Sequence, residues 1–586
     1  MYAGKELIDK ITACWLGKNI GGTLGAPVEG CKEKLHLTGL PDLGEQGSLP
    51  NDDLDLQLVN LHTLEQRGLE LTIRDFSEEW MEHVRFPFDE YGYALTNLRK
   101  GFAAPLSGYY NNPFTNCMGS PIRSELWASI APGRPKAAAF FAYLDAMVDH
   151  AGGEGVYGEM FFAVLESLAY EEQKIEALIA ASLEYIPSDC RVALAVKDTI
   201  QWYQSGVPYE EIRELILEKY GNPNFTDAPQ NIAFTIVGLL YGENFEDGLL
   251  KVVNIGYDTD CTAATFASIY GILHGTGGIP QNWKEPVGES IKVSEEIQGL
   301  PYPQTIAELT ARTIKLKEKI DLMDDRFFHI DQMENHHAQV FYIPAAGMNR
   351  TAFKVVVEGE DGPLCIVGQD KKLKIKTENH TLDPWHFKLV IRDENSQILA
   401  ESAPLTVDVG GEELVSFRIP VLKTEKTSAS YSVTVVRYHD DFVWNEFQIP
   451  VALPIASKWE IDGSTCFGED GHAVLIGRGK HVARTTVTTN QEYKMKFMFA
   501  CSQPLTVYLD GVAVVQTDAP TDYIPAYHRG PLQLRYTTQL SPGKHHITFE
   551  VNSEEERCEI MLNPTTPFIC SHHGNHYMTE CLIGRE

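Results

Sequence analysis

The chain is short of the features that mark secreted, membrane-spanning or nucleic-acid-binding proteins. Its 586 residues hold eleven cysteines, an odd number, scattered and without a CxxC pair. That argues against a disulfide framework and for a reducing compartment. No run approaches the roughly 18 apolar residues a transmembrane helix needs, so no membrane span is expected. The first residues, from Met1 to Lys18, contain neither an uninterrupted apolar stretch nor a small-residue cleavage site, which predicts a cytoplasmic location. Positive charge is scarce: 49 Lys and Arg stand against 81 Asp and Glu, a net charge of −32. Such a chain repels a phosphate backbone, so nucleic acid is not expected as a partner. A small phosphate-bearing ligand stays open, because a bound cation or a helix N-terminus overrides the global field locally. Glycine-rich loops of the Rossmann or P-loop kind are missing, and no Ser–His–Asp or Cys–His arrangement can be argued.

What remains is the composition of an ordinary globular protein of two to four domains, 43% hydrophobic and 22% charged. Up to about residue 325 the apolar residues keep a helical period. Leu7, Ile8, Ile11 and Trp15 form one stripe, and Leu54, Leu58 and Leu61 another. The segment Asp258 to His274 is rich in small residues (Ala263, Ala264, Ala267, Gly271), which lets neighbouring helices come close. Beyond about residue 340 β-branched residues alternate between turn signals. The predicted architecture is an all-α domain over 1–325, a linker over 326–345, an immunoglobulin-like β-sandwich over 346–455 and a jelly-roll-like β-sandwich over 456–586.

Two acidic clusters stand about two hundred residues apart. One is Asn51-Asp52-Asp53 and the other Gly256-Tyr257-Asp258-Thr259-Asp260-Cys261, each at the start of a predicted helix. First-turn acids suit a helix N-terminus by themselves, so capping alone explains either pair. Four carboxylates brought together would repel one another unless cations sat between them. Oxygen donors of this kind suit Mg²⁺ or Mn²⁺ better than zinc. The sequence therefore predicts a two-metal site. Asp55, three residues after Asp52, reads either as a further carboxylate behind that site or as a solvated surface acid.

Three blocks together resemble the ADP-ribosylglycohydrolase family. The run from Gly17 through Gly21, Gly22, Gly25 and Pro27 to Glu29 and Gly30 is similar to the family's opening GxxxGDxLGxPxE pattern. Asn51-Asp52-Asp53 falls at its Thr/Ser-Asp-Asp position, and Gly256 to Cys261 at its GGDTD(T/S) position. The resemblance covers about 300 residues and leaves the β-rich half untouched. It implies an all-helical domain whose Asp blocks hold two Mg²⁺ ions, with Asp52, Asp53, Asp258 and Asp260 as core ligands. Asn51 and Cys261 stand where the family has Thr or Ser. The Asn51 amide oxygen suits a hard cation, whereas a Cys261 thiol is a poor partner for Mg²⁺. Gly22 replaces the family's Asp and removes one acid near the site.

The same resemblance implies that Glu29 faces the metals and handles water or substrate, with Asp52 and Asp258 also in the catalytic set. Cys117-Met118-Gly119-Ser120-Pro121-Ile122-Arg123 lies near the family's glycine-rich diphosphate loop, making Gly119 and Ser120 substrate-binding candidates. Pro121 withholds one N–H from that loop, and Arg123 reads as its anchor through a carboxylate. His150 and Tyr157 fall in a segment similar to the family's His-Gly pattern and would contact the sugar.

The implied reaction is hydrolysis, by metal-activated water, of an N- or O-glycosidic bond in an ADP-ribosyl or related ribofuranoside substrate. Two alternatives stay open: a non-catalytic ADP-ribose or nucleotide sensor, and a carbohydrate-directed glycosidase using the β domains to bind sugar. The partner in every case is a small-molecule or ADP-ribosylated substrate.

Overall fold

The structure is a computed structural model that describes residues 4–44, 47–330, 339–342, 353–525, 529–567, 575–577 and 581–585. Most of the expected linker over 326–345 lies outside the described residues. Among the described residues sixteen α-helices occupy the stretch from Lys5 to Ile320, and strands follow from Gln339 onward. None of these helices, among the described residues, is long and apolar enough to cross a membrane.

Two compact units divide the chain. The first is Met1–Val84 with Phe114–Asn335, and the second is Arg85–Pro113 with His336–Glu586. Three helices of the first unit matter most here: α1 (Lys5–Gly25), α2 (Asp52–Arg67) and α3 (Ile73–His83). The helix Thr259–His274 runs antiparallel to α1 along a seam of small residues. A Cβ built on Gly17 would meet Ala267 O at 2.2 Å, one on Gly21 would meet Ala263 O at 2.2 Å, and one on Gly25 would meet Asp260 Cα at 2.4 Å. Backbone touches backbone at four-residue intervals, a distance open only to glycine. Ile20, Leu24, Phe266, Leu249 and Trp283 close the apolar core around this seam.

In the second unit the strands between Phe353 and Pro454 form two antiparallel sheets. Phe353–Gly359, Asp370–Asn379 and Glu412–Pro420 lie side by side in one. In the other, Trp385–Asp393, Ser428–His439 and Phe442–Pro454 are neighbours. Val355, Ile375 and Ile419 from the first sheet share a core with Phe387, Val433 and Ile449 from the second, so the pair is a sandwich. Phe102, Leu106 and Tyr110 join the same core. Residues beyond Ser457 build a second sandwich in the same way, with Val487 and Phe549 from one sheet packed on Phe497 and Leu562 from the other. Alternation of buried and part-exposed residues along Phe353–Gly359 and Gly479–Thr489 follows the two-residue period of a sheet with one face in a core.

Candidate functional site

Three helix ends converge on the acidic clusters. α1 finishes at Gly25 and passes through the 3₁₀ turn Ala26–Val28 to Glu29. α2 starts at Asp52 with Asn51 as its N-cap, whose side-chain oxygen accepts from Asp53 N at 2.7 Å. Asp258 occupies the cap position of the Thr259–His274 helix. The glycine seam brings Asp260 against the end of α1, where Thr259 Oγ1 donates to Gly25 O at 2.9 Å.

A short backbone ladder then sets Glu29 beside Asp258. Gly30 N donates to Tyr257 O at 2.9 Å, and Tyr257 N donates to Cys31 O at 2.7 Å. To enter this ladder the chain turns through two left-handed residues, Gly256 at φ 84° and Tyr257 at φ 69°. Tyr257 is not a glycine, so that conformation costs energy, and its ring is held against Phe234 and the Arg213 guanidinium.

The carboxylates meet in two overlapping groups. Asp53, Asp260 and Cys261 offer ligand atoms within 4.8 Å of one another, and so do Glu29, Asp258 and Asp260. Asp260 belongs to both. Asn51 joins through its amide, Nδ2 donating to Asp260 Oδ2 at 3.1 Å. Asp52 adds its charge to the field felt by Asp260 and Cys261. Asp53, Asp258 and Asp260 are buried and Glu29 is exposed. Burial, reinforced by Glu29, Asp258, Asp53 and Asp52, pushes the Asp260 carboxyl well above the usual range. Burial also pushes the Cys261 thiol up, with the surrounding Asp residues adding to it, so this sulfur keeps its proton beside Asp53.

The residues present fit a hard cation. Asp53 Oδ2 and Asp260 Oδ1 are buried and accept no hydrogen bond, an arrangement that costs free energy unless positive charge comes to them. Oxygen dominates the donor set, as Mg²⁺ and Mn²⁺ prefer. Asn51 fits less simply, since its oxygen is already engaged in capping and its amide nitrogen faces the site.

Lys18 is the cation that the sequence did not reveal. From the middle of α1 its Nζ donates to Asp53 Oδ1, Glu125 Oε1 and Ile122 O, each at 2.9 Å. Burial opposes its charge, but Asp53 and Glu125 outweigh that and hold the ammonium protonated. Gln57, one turn after Asp53, donates to Glu125 Oε2 at 2.8 Å and Ile122 O at 3.1 Å. The only hint in sequence is a lysine among the buried small and apolar residues of α1.

A second network surrounds Arg123, the residue after Ile122. Its guanidinium takes Asp149 in a bidentate pair at 2.8 and 2.9 Å and Asp145 at 2.7 Å, all three side chains being buried. Although burial works against it, Arg123, helped by His150, draws the Asp149 carboxyl down to about 2. Arg123 thus anchors its loop through carboxylates, as the sequence suggests. Ser120 Oγ donates to Glu159, whose other oxygen accepts from Trp127 Nε1 at 2.7 Å. His150 Nδ1 lies 3.0 Å from Asp149 Oδ1, Gly119 is buried, and Tyr157 is half-buried. Asp55 is not a surface acid: it is buried, and it accepts from Ser294 N at 3.1 Å.

The helical unit lies within a stretch matched by a family comparison. The model of the ADP-ribosylglycohydrolase family matches residues 3–319, more than half of the chain, and the chain belongs to that family. Among curated proteins it is similar to the ADP-ribosylarginine hydrolase Tri1 of Serratia proteamaculans (strain 568), with 35% identity over 60 residues. That match covers 10% of this chain and 16% of the relative's length. Among solved structures, an ADP-ribosylglycohydrolase-related protein complex aligns with 54% of this chain and 99% of its own, at 20% identity and a TM-score of 0.39. The α-L-rhamnosidase of Streptomyces avermitilis, complexed with L-rhamnose, aligns with 38% of this chain and 24% of its own, at 13% identity and a TM-score of 0.14.

Proposed function

We propose that the chain is a cytoplasmic, metal-dependent glycohydrolase that cleaves an N- or O-glycosidic bond of an ADP-ribosyl or related ribofuranoside substrate. One observation carries this reading: Glu29, Asp53, Asp258 and Asp260 converge as two ligand groups that share Asp260, in a chain of the ADP-ribosylglycohydrolase family. Asn51, Asp52, Asp53, Asp258, Asp260 and Cys261 would hold two Mg²⁺ ions, with Mn²⁺ an acceptable substitute. When bound, such cations neutralise the carboxylates, orient the sugar hydroxyls and acidify water. The division that goes with this reading is a catalytic domain over 1–325, a linker over 326–345 and two sandwich domains over 346–455 and 456–586.

Each residue has a task in that scheme. Lys18 fixes one oxygen of Asp53 and leaves the other turned to the site. Asn51 locks the start of α2 and restrains Asp260. Glu29, exposed beside buried Asp258 and Asp260, takes the proton from the attacking water as the anomeric carbon gains positive charge. Its exposure lets substrate reach it. Gly119, Ser120, His150 and Tyr157 would bind the substrate, with Arg123 holding their loops through Asp145 and Asp149.

The carbohydrate-directed alternative has one observation on its side. Phe442 and Trp444 are exposed at the start of a long strand, and exposed rings of this kind stack on sugars. Turnover assays with Mg²⁺ or Mn²⁺ on α-ADP-ribosyl conjugates and on aryl furanosides, beside an Asp258→Asn/Asp260→Asn variant, decide the matter. Hydrolysis by the wild type and none by the variant is expected. Ligand binding without turnover of any substrate would replace the enzyme by a sensor.

A further inference from the structure

We propose that His62, Glu79 and His83 form a second metal site, of a chemistry suited to Zn²⁺, between α2 and α3. The three side chains offer one ligand atom each, all within 4.8 Å of one another. Glu79 and His83 stand four residues apart on α3, one above the other on a single face. His62 comes from the second half of α2. It lies nine residues beyond Asp53, about 13 Å along the helix at 1.5 Å per residue, so it is separate from the acidic cluster. Two imidazoles and one carboxylate match a zinc ion that keeps its fourth position for water, and imidazole nitrogen discriminates against Mg²⁺.

Hydrogen bonding around His83 fixes which nitrogen faces the cluster. Its Nδ1 lies 2.8 Å from Gln298 O, and a carbonyl only accepts, so Nδ1 carries the proton. In a neutral ring Nε2 therefore presents a lone pair, and it points at Glu79 Oε1 from 3.5 Å. Two acceptors facing each other need a proton or a cation between them. His62 Nδ1 is directed at the same Glu79 oxygen. Both histidines thus converge on one carboxylate oxygen, with their rings edge to face and 5.2 Å apart. Gln298 N also donates to His83 O at 2.9 Å, so the residue is clamped through ring and backbone together. A backbone carbonyl that orients a histidine through its outer nitrogen is the usual support of a metal ligand.

The charged neighbours leave room for a cation. Arg67 lies 4.0 Å from Glu79 Oε2, but it is drawn off by Glu78 at 3.1 Å. Glu79 and His83 are buried, while the His62 side chain keeps 12% of its surface, which gives an ion a way in. An ion here would tie α3 to the helix that begins with Asp52 and Asp53.

The test uses full-length protein stripped with a chelator, returned to saturating Mg²⁺, and titrated with Zn²⁺ or Co²⁺. One equivalent of either should bind, with Co²⁺ giving visible ligand-field bands and Zn²⁺ raising the thermal midpoint. His62→Ala and Glu79→Gln should each weaken that binding at least about tenfold. The Asp258→Asn/Asp260→Asn variant should keep it. His62 is part-exposed, so its truncation leaves a folded protein even where Glu79→Gln does not. A wild type without saturable Zn²⁺ binding overturns the proposal, and so does binding that survives His62→Ala or disappears with Asp258 and Asp260. A protonated His83 paired with Glu79 would then account for the contacts.

Discussion

Lys18 Nζ lies 2.9 Å from Asp53 Oδ1, at the point where α1 meets the first turn of α2. Both side chains are almost wholly buried, and Glu125 completes the group at 2.9 Å. One ammonium is thus shared between two carboxylates, and Asp53 keeps a second oxygen for the site. Removing one member of a buried charge group leaves the others uncompensated.

Lys18→Met should therefore destabilise the helical unit by about 3–5 kcal/mol without divalent ions. Added Mg²⁺ should recover part of that loss, by restoring positive charge next to Asp53. Urea unfolding followed by tryptophan fluorescence, with EDTA and with Mg²⁺, reads both effects. An unchanged midpoint in EDTA would mean that the three charges are not mutually dependent.

Divalent ions should stabilise the wild type directly. At a concentration a hundredfold above the dissociation constant the gain is about 2.7 kcal/mol, seen as a higher thermal midpoint. Asp258→Asn/Asp260→Asn should lose this response. Equal stabilisation of the variant would move the ion elsewhere.

Gly21→Ala places a Cβ 2.2 Å from Ala263 O, too close for either backbone to ignore. Overpacking of this kind costs about 1–3 kcal/mol. The larger effect should be catalytic, because a displacement near 1 Å between α1 and the Thr259–His274 helix separates Glu29 from Asp260. Loss of about a hundredfold in kcat/KM is expected, with the helical circular dichroism retained.

Cys261→Ser should tighten Mg²⁺ binding severalfold. The buried thiol stays protonated and is a soft, poor ligand, whereas a hydroxyl oxygen is a harder donor for the cation. Calorimetric titration of both proteins checks this, and weaker binding by the serine variant would contradict it.

Glu469 in the β-rich unit gives a pH signature. Burial, with Asp470 adding to it, raises its carboxyl from 4.5 to about 7, although Asn111 N donates to it. An acid raised on folding supports the native state fully below its unfolded pKa. That support is lost as pH climbs from about 4.5 through 7. Glu469→Gln keeps an acceptor for Asn111 N and should flatten the decline, by an amount on the order of 3 kcal/mol at pH 8. Thermal midpoints from pH 4 to pH 8 should diverge steadily between variant and wild type.

Much of the fold is legible in the chain because its signals are local. Helical stripes before residue 325 and alternating β-branched runs after 340 report burial that each segment carries in its own pattern. The acidic clusters are legible for the same reason: Asp52, Asp53 and Asp258 stand at helix starts that their neighbours define. Lys18 with Glu125, and Arg123 with Asp145 and Asp149, are partners across tertiary distances, and spacing does not name them. Position alone leaves Asp55 open between a carboxylate behind the site and a surface acid, and its burial under the Ser294 N–H excludes the second. Nothing local in Phe102, Leu106 and Tyr110 tells that they belong to a sandwich core.

The seam of Gly17, Gly21 and Gly25 has a consequence at the level of the gene. Every missense change in a glycine codon introduces a side chain, and at these three positions its first atom would meet backbone at 2.2–2.4 Å. The spacing between the two halves of the acidic centre is therefore set by three backbone contacts and by no side chain.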